Sequence, residues 1–187
     1  MQIQTLTVGP VATCCYVLSA DASAADCIVI DPGAEADRIL RTVNGRRIAA
    51  ILLTHGHFDH IGAVAGLKGE DTPLLIHELD APMLSDPVLN AGMGLLRRSI
   101  TAPEATDKVN EGDELEIAGL KIRVLHTPGH TPGSSCYLIE GELFTGDTLF
   151  EYGWGRTDLP GGNEEQMADS LRRLMPLARS MPFQPGH

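Results

Sequence analysis

Thr54-His55-Gly56-His57-Phe58-Asp59-His60 sets three imidazoles and a carboxylate within a single short turn, directly after the continuous apolar run Ile48 to Leu53. A run of that kind suits a strand buried on both faces. Ahead of it, starting near Glu35, the pattern Ile39, Leu40, Val43 has helical spacing, so the order is a helix leading into a buried strand. A strand end followed by a Gly-containing turn aims His55 and His57 at one point. Asp59 and His60, entering the next helix, aim at a neighbouring point, which implies two metal sites side by side. Zinc and similar borderline-soft divalent ions favour neutral imidazole nitrogens and carboxylate oxygens at about 2.0–2.2 Å, the ligand set this turn offers. The competing reading is a solvated turn with incidental histidines, which the density of ligand types disfavours.

Working outward, β-rich runs at Ile3 to Val8, Cys14 to Leu18 and Cys27 to Ile30 are each bounded by Gly, Pro or Asp and read as an opening antiparallel sheet. After His60, the residues Ile61, Val64, Ala65 and Leu67 suggest one helix, and Leu74 to Ile76 a strand. The stretch Asp80 to Asp107 carries Pro82, Pro87 and Pro103 and reads as short helices and loops, a pocket wall instead of core. Strands follow near Glu114 to Ile117, Leu120 to Leu125, Ser134 to Ile139 and Leu143 to Thr145. Asn163 with Gln166 resembles a helix-capping pair ahead of the apolar face Met167, Leu171, Leu174, Met175. Pro176 is expected to end that helix. The two halves share an order of strands, then helix, with no detectable repeat, linker or low-complexity segment.

A chain of 187 residues that is 43% hydrophobic has the size of one domain, 1–187, with one site. A net charge of −11 with no offsetting basic stretch excludes nucleic acid as a main partner. Nothing approaches a membrane span, and Met1 to Val8 reads as a strand, not a signal peptide. Cys14, Cys15, Cys27 and Cys136 lie in apolar runs without C-x-x-C spacing, which points to reduced, buried thiols and a cytoplasmic protein. The oligomeric state is left open.

Three single residues sit where strand ends meet turn chemistry: His130 in Thr127-Pro128-Gly129-His130-Thr131-Pro132-Gly133, Asp147 in Phe144-Thr145-Gly146-Asp147-Thr148, and His187 in Pro185-Gly186-His187. Taken alone, each reads as an ordinary turn residue. Together with His55, His57, Asp59 and His60, however, they follow the order of ligand motifs of a known family. The sequence resembles the metallo-β-lactamase superfamily over nearly its whole length. More narrowly, Ile30-Asp31-Pro32-Gly33, the His130 and Asp147 motifs and Gly155-Arg156-Thr157-Asp158 look like its glyoxalase II-like branch, the hydroxyacylglutathione hydrolases. The resemblance implies an α/β fold, the αββα sandwich of the metallo-β-lactamase type. It also implies two divalent metal ions, zinc first, with iron or manganese as alternatives. His55, His57 and His130 would hold one, Asp59, His60 and His187 the other, and Asp147 would bridge them, so Asp59 and Asp147 are the candidate catalytic carboxylates.

Two such ions roughly 3.5–4 Å apart lower the pKa of a water between them towards neutrality and polarise a carbonyl, so acyl transfer to water needs no serine or cysteine nucleophile. Thioesters suit this chemistry, because a thiolate with a pKa near 8.5 departs with little proton donation. The expected substrate is a small glutathione-linked thioester, S-2-hydroxyacylglutathione. Arg156, in the turn after Asp147, is a candidate substrate-binding cation, with a salt bridge to Asp158 as the equal alternative. Arg97 and Arg98 read as a solvated pair. Asp31 is a candidate acceptor behind a ligand histidine or simply part of an Asp-Pro-Gly turn. His77 and His126 have no assigned role.

Members of the branch usually continue past Pro-Gly-His with a closing segment, and glyoxalase II proper carries a further helical domain, whereas this sequence stops at His187. A last residue is expected to fray, with its own carboxylate beside the second metal. The rival activity is an iron-dependent persulfide dioxygenase with the same ligand motifs. A β-lactamase or lactonase leaves the Gly155-Arg156-Thr157-Asp158 loop unexplained, and a nuclease needs further binding elements. A non-enzymatic metal or redox scaffold is disfavoured because its flavodiiron-like branch commonly has Glu where His57 stands.

Overall fold

The computed structural model describes residues 1–187. The first sheet opens with β1 (Gln2–Val8), β2 (Thr13–Ser19) and β3 (Asp26–Ile30), which pair as an antiparallel meander. After α1 (Ala36–Val43), the strands β4 (Arg47–Leu52), β5 (Leu74–His77) and β6 (Asp107–Val109) add on in parallel, giving the order β1-β2-β3-β4-β5-β6. The second sheet contains β7 (Glu114–Ile117), β8 (Leu120–His126), β9 (Ser135–Ile139) and β10 (Glu142–Gly146), antiparallel throughout. A last strand, β11 (Phe183–Pro185), joins β10 in parallel at its edge.

The two-residue period of a strand sorts each run into two cores. Cys27, Val29, Ile51 and Leu53 face outward and pack under Ile39 and Val43 of α1. Ile28, Ile30, Ala50 and Leu52 face inward and meet Ile122, Val124, Tyr137 and Phe144 of the second sheet. Both faces are dry, which is why these strands read as unbroken apolar runs. The long helix, Glu164–Ala178, covers the far face of the second sheet through Leu174 on Cys136 and Leu143. The layers are therefore helix, sheet, sheet, helix. No helix is long and apolar enough to cross a membrane.

Four details differ from the sequence expectations. The helix after His60 is broken into two single turns, α2 (Phe58–Ile61) and α3 (Val64–Leu67). The Ala63 N–H is taken by Pro32 O at 2.9 Å, so the Asp31-Pro32-Gly33 turn diverts the helical ladder. Pro176 does not end its helix, which runs on to Ala178; so near the C-terminus, a missing N–H removes only one late bond. The Asp80 to Asp107 stretch does form a short 3-10 turn (Ala81–Leu84) and α4 (Gly92–Leu96), but it also contributes core, with Leu84, Met83 and Ala91 buried. The strands β6 and β11 were not foreseen: three residues each, they are held by a neighbouring strand and carry no periodicity of their own.

Candidate metal centre

The seven candidate ligands come from the loops, and in one case the short helix α2, that follow β4, β8, β10 and β11. Thr54 and His55 follow β4, and the strand is tied across to the second sheet by Ser135 N–H on Thr54 O (2.8 Å) and Tyr137 O–H on Leu53 O (2.7 Å). Behind the His-rich turn lies Asp31, at the end of β3, with a left-handed φ of 48°. Its carboxylate accepts Thr54 N–H at 2.8 Å and Thr54 Oγ1–H at 2.6 Å, and lies 3.0 Å from His60 Nδ1. It is therefore a turn residue whose carboxylate also lies close behind a candidate ligand, without an aligned hydrogen bond to it.

Backbone and hydroxyl oxygens fix which nitrogen of each ring faces inward. Thr54 Oγ1, its proton given to Asp31, is the acceptor for His55 Nδ1–H at 3.1 Å. His130 Nδ1–H donates to Arg156 O at 2.7 Å, and His187 Nδ1–H to Val11 O at 3.0 Å. With the protons held at Nδ1, the Nε2 lone pairs of His55, His130 and His187 are free for a cation, an arrangement in which outer acceptors orient ligating imidazoles. His57 presents Nδ1 instead, 2.8 Å from His130 Nε2.

Three groups of donor atoms result: His55, His57 and His130; His55, His60 and Asp147; and Asp59, His60 and His187, each within 4.8 Å of one another. Asp147 lies between the outer two, with Oδ2 3.4 Å from His130 Nε2 and Oδ1 3.3 Å from His60 Nε2. On the far side, His187 Nε2 is 3.3 Å from Asp59 Oδ2. Gly155 and Gly186 make this closeness possible, since a Cβ at either would strike Asp147. The residue before His187 is tied in on both sides: Gly186 N–H donates to Gly146 O and Gly186 O accepts from Cys14 N–H.

The electrostatics keep part of the ligand set ready for a cation, whereas at His60 and His187 burial is outweighed by the neighbouring carboxylates Asp59 and Asp147, which raise the imidazole pKa, so that a proton competes for those rings. Burial, reinforced by neighbouring imidazoles, lowers the pKa of His55 and brings that of His57 down to about 3, so both rings are neutral at pH 7. Burial opposes ionisation of Asp59 and Asp147, but the imidazoles beside them, His60 first, outweigh it and hold both below the usual carboxylate range. Within the cluster, His55 Nε2, His57 Nε2, both His60 nitrogens and Asp147 Oδ1 are buried with no aligned hydrogen-bond partner, and of these His55 Nε2, His60 Nε2 and Asp147 Oδ1 face the centre. Such orphaned groups cost about 1–3 kcal/mol each, and two divalent cations would satisfy those that face the centre. The residues present fit a dinuclear site.

One residue was missed. Asp80 is fully buried and accepts Gly56 N–H (3.1 Å), Thr131 Oγ1–H (2.6 Å) and Gly133 N–H (2.6 Å). It straps the turn carrying His55 and His57 to the loop carrying His130. In the sequence it stands before Ala81-Pro82 like a helix cap, and nothing local reports its burial.

The cluster forms the floor of a cavity of about 310 Å³ whose walls include Val11, Leu95, Phe150, Leu159 and Arg156. Arg156 is among the residues that line it, and its guanidinium is paired in parallel with Asp158, at 2.6 and 2.7 Å, the salt bridge that the sequence offered as one of two readings. A larger groove, about 620 Å³, lies at the edge of the second sheet beside Glu114 and Arg123, and holds none of the imidazoles. Arg97 and Arg98 are exposed. His77 and His126 lie outside the cluster, stacked on each other at 4.0 Å. All four cysteines are free thiols, three of them buried.

His187→Ala is expected to remove the second equivalent in a calorimetric metal titration while the first still binds. Unchanged binding of two ions would take His187 out of the ligand set.

The profile of the metallo-beta-lactamase superfamily matches residues 8–187. Among curated relatives, the probable metallo-hydrolase YqgX of Bacillus subtilis is 37% identical over all of this chain and 90% of its own length. The hydroxyacylglutathione hydrolase GloC of Haemophilus influenzae is 35% identical over 85% of this chain and 78% of its own. Among solved structures, BLEG-1 B3 metallo-beta-lactamase superposes with a TM-score of 0.92 at 35% identity, covering 100% of this chain and 91% of that one. TTHA1623, solved in a di-iron-bound form, gives 0.85 at 35% identity, covering 98% and 91%.

Proposed function

This chain belongs to the metallo-β-lactamase superfamily, and on that premise we propose that it is a dinuclear metal-dependent hydrolase of small thioesters, glutathione-linked ones first. The observation that carries this reading is the floor of the cavity: five imidazoles and two carboxylates converge there, while no serine, cysteine or lysine lines the cavity. A nucleophile has to come from water.

In this reading His55, His57 and His130 hold one cation, Asp59, His60 and His187 the other, and Asp147 lies between. Bound there, the pair supplies a water of lowered pKa and an electrophile for the acyl carbonyl. The chain's own groups do the rest. Arg156 O, Thr54 Oγ1 and Val11 O keep protons at the outer nitrogens, so that lone pairs face the centre. Val11, Leu95, Phe150 and Leu159 limit water at the rim. A thiolate leaving group needs no acid, in keeping with a cavity whose carboxylates are both held ionised.

The likeness to GloC supports glutathione as the thiol carrier. The exposed Arg156–Asp158 pair is worth at most about 1 kcal/mol, so the guanidinium can exchange Asp158 for a substrate carboxylate. Arg156→Ala is expected to raise KM several-fold and to lower kcat less, as for a group that binds ground and transition states alike. Unchanged kinetics would leave Arg156 with the ion pair alone.

Zinc-loaded protein is expected to hydrolyse S-lactoylglutathione and to consume no oxygen with glutathione persulfide. The persulfide dioxygenase is the second reading; that TTHA1623, 35% identical, takes iron is why the iron-loaded form is tested beside the zinc form. Oxygen uptake by the iron-loaded form, with thioester hydrolysis at background, would replace the first reading by the second. Turnover of a chromogenic cephalosporin alone would replace both.

A further inference from the structure

Ten large apolar side chains are exposed in the whole protein, and four of them, Val88, Leu89, Met93 and Leu95, cluster around α4. Clustered apolar exposure of this kind marks binding surfaces. Nor is this segment slack. Ala91 and Arg97, which bound α4, both take left-handed φ values, 64° and 55°. Beneath it the fully buried Asn90 donates from Nδ2 to Met83 O (3.0 Å) and Ile100 O (2.8 Å), and its Oδ1 accepts Gly92 N–H at 3.0 Å. The Asn90 carbonyl accepts Phe58 N–H at 3.0 Å, which ties α4 to the His-rich turn itself.

Val88, Met93 and Pro160 line a hollow of about 380 Å³ that shares Leu95 and Leu159 with the metal cavity. No charged or hydrogen-bonding side chain lines it. We infer that this hollow is an acyl-chain subsite: the apolar tail of the thioester's acyl group lies over Leu95 and Leu159, with its end between Val88, Met93 and Pro160. The inference rests on the thioesterase reading above and names its substrate class, acyl groups that carry an apolar chain. The thiol carrier is a poor occupant, because the carboxylates and ammonium of glutathione would lose hydration there without gaining a partner. The carrier is left the polar part of the metal cavity, which Arg156 also lines.

A buried methylene is worth about fourfold in an equilibrium constant, and in a half-open hollow about threefold. The test is calorimetric titration of zinc-loaded protein with straight-chain carboxylates from propanoate to octanoate, together with hydrolysis of acyl-glutathiones of the same lengths. The wild type is expected to bind about threefold tighter per methylene up to about hexanoate. Met93→Asp or Val88→Asp, both at exposed positions, should flatten that slope. Dissociation constants independent of chain length, or a slope unchanged in both variants, would overturn the subsite. A slope without any thioester hydrolysis upholds the apolar subsite and removes the thioesterase reading. Hydrolysis with a flat binding slope does the reverse.

Discussion

Asp147→Asn is expected to strip both metals together and to lower kcat/KM by about 10³-fold or more, roughly 4 kcal/mol of transition-state stabilisation. The carboxylate faces His130 with one oxygen and His60 with the other, so its charge is shared by both donor groups. An amide of the same shape removes that charge, and two cations held close together then repel each other less screened. Burial makes the loss harder to compensate, since Asp147 is 8% exposed and no other carboxylate lies between the two groups. Loss of one equivalent with the other intact would show that Asp147 serves a single site.

Asp80→Ala is expected to act without touching a metal. It leaves Gly56 N–H, Gly133 N–H and Thr131 O–H without their acceptor in a dry interior. A buried donor left without its acceptor costs about 1–3 kcal/mol, so three of them together are expected to cost about 4 kcal/mol, which in a chain of this size lowers Tm by about 10 °C. Because the two loops it joins carry His55, His57 and His130, metal affinity should fall about 10–100-fold, as when outer partners of ligands are removed. Asp80→Asn, which retains one acceptor oxygen, should recover part of both. A Tm within about 2 °C of wild type, with normal metal affinity, would show that the strap does not position the loops.

These two residues mark the limits of what the sequence discloses. The strands β3 and β4 were legible because burial on both faces leaves an unbroken apolar run, and the His55 to His60 turn because its ligand density has few other uses. His130, Asp147 and His187 were each ambiguous in isolation, and only the family resemblance joined them into one set; the structure brings all three against the turn. Asp80 was hidden because its partners lie 24 to 53 residues away, and burial by distant loops leaves no local periodicity. The break in the helix after His60 was hidden for the same reason: the carbonyl that diverts Ala63 belongs to Pro32. The short strands β6 and β11 exist only because a neighbouring strand offers them an edge.

The most direct measurement is the metal content of the protein after reconstitution with excess zinc and desalting, by plasma mass spectrometry, beside Asp147→Asn handled identically. Two equivalents per chain in the wild type, and near none in the variant, are the expected result. No more than one equivalent in the wild type, or two in both proteins, would contradict a dinuclear centre built on Asp147.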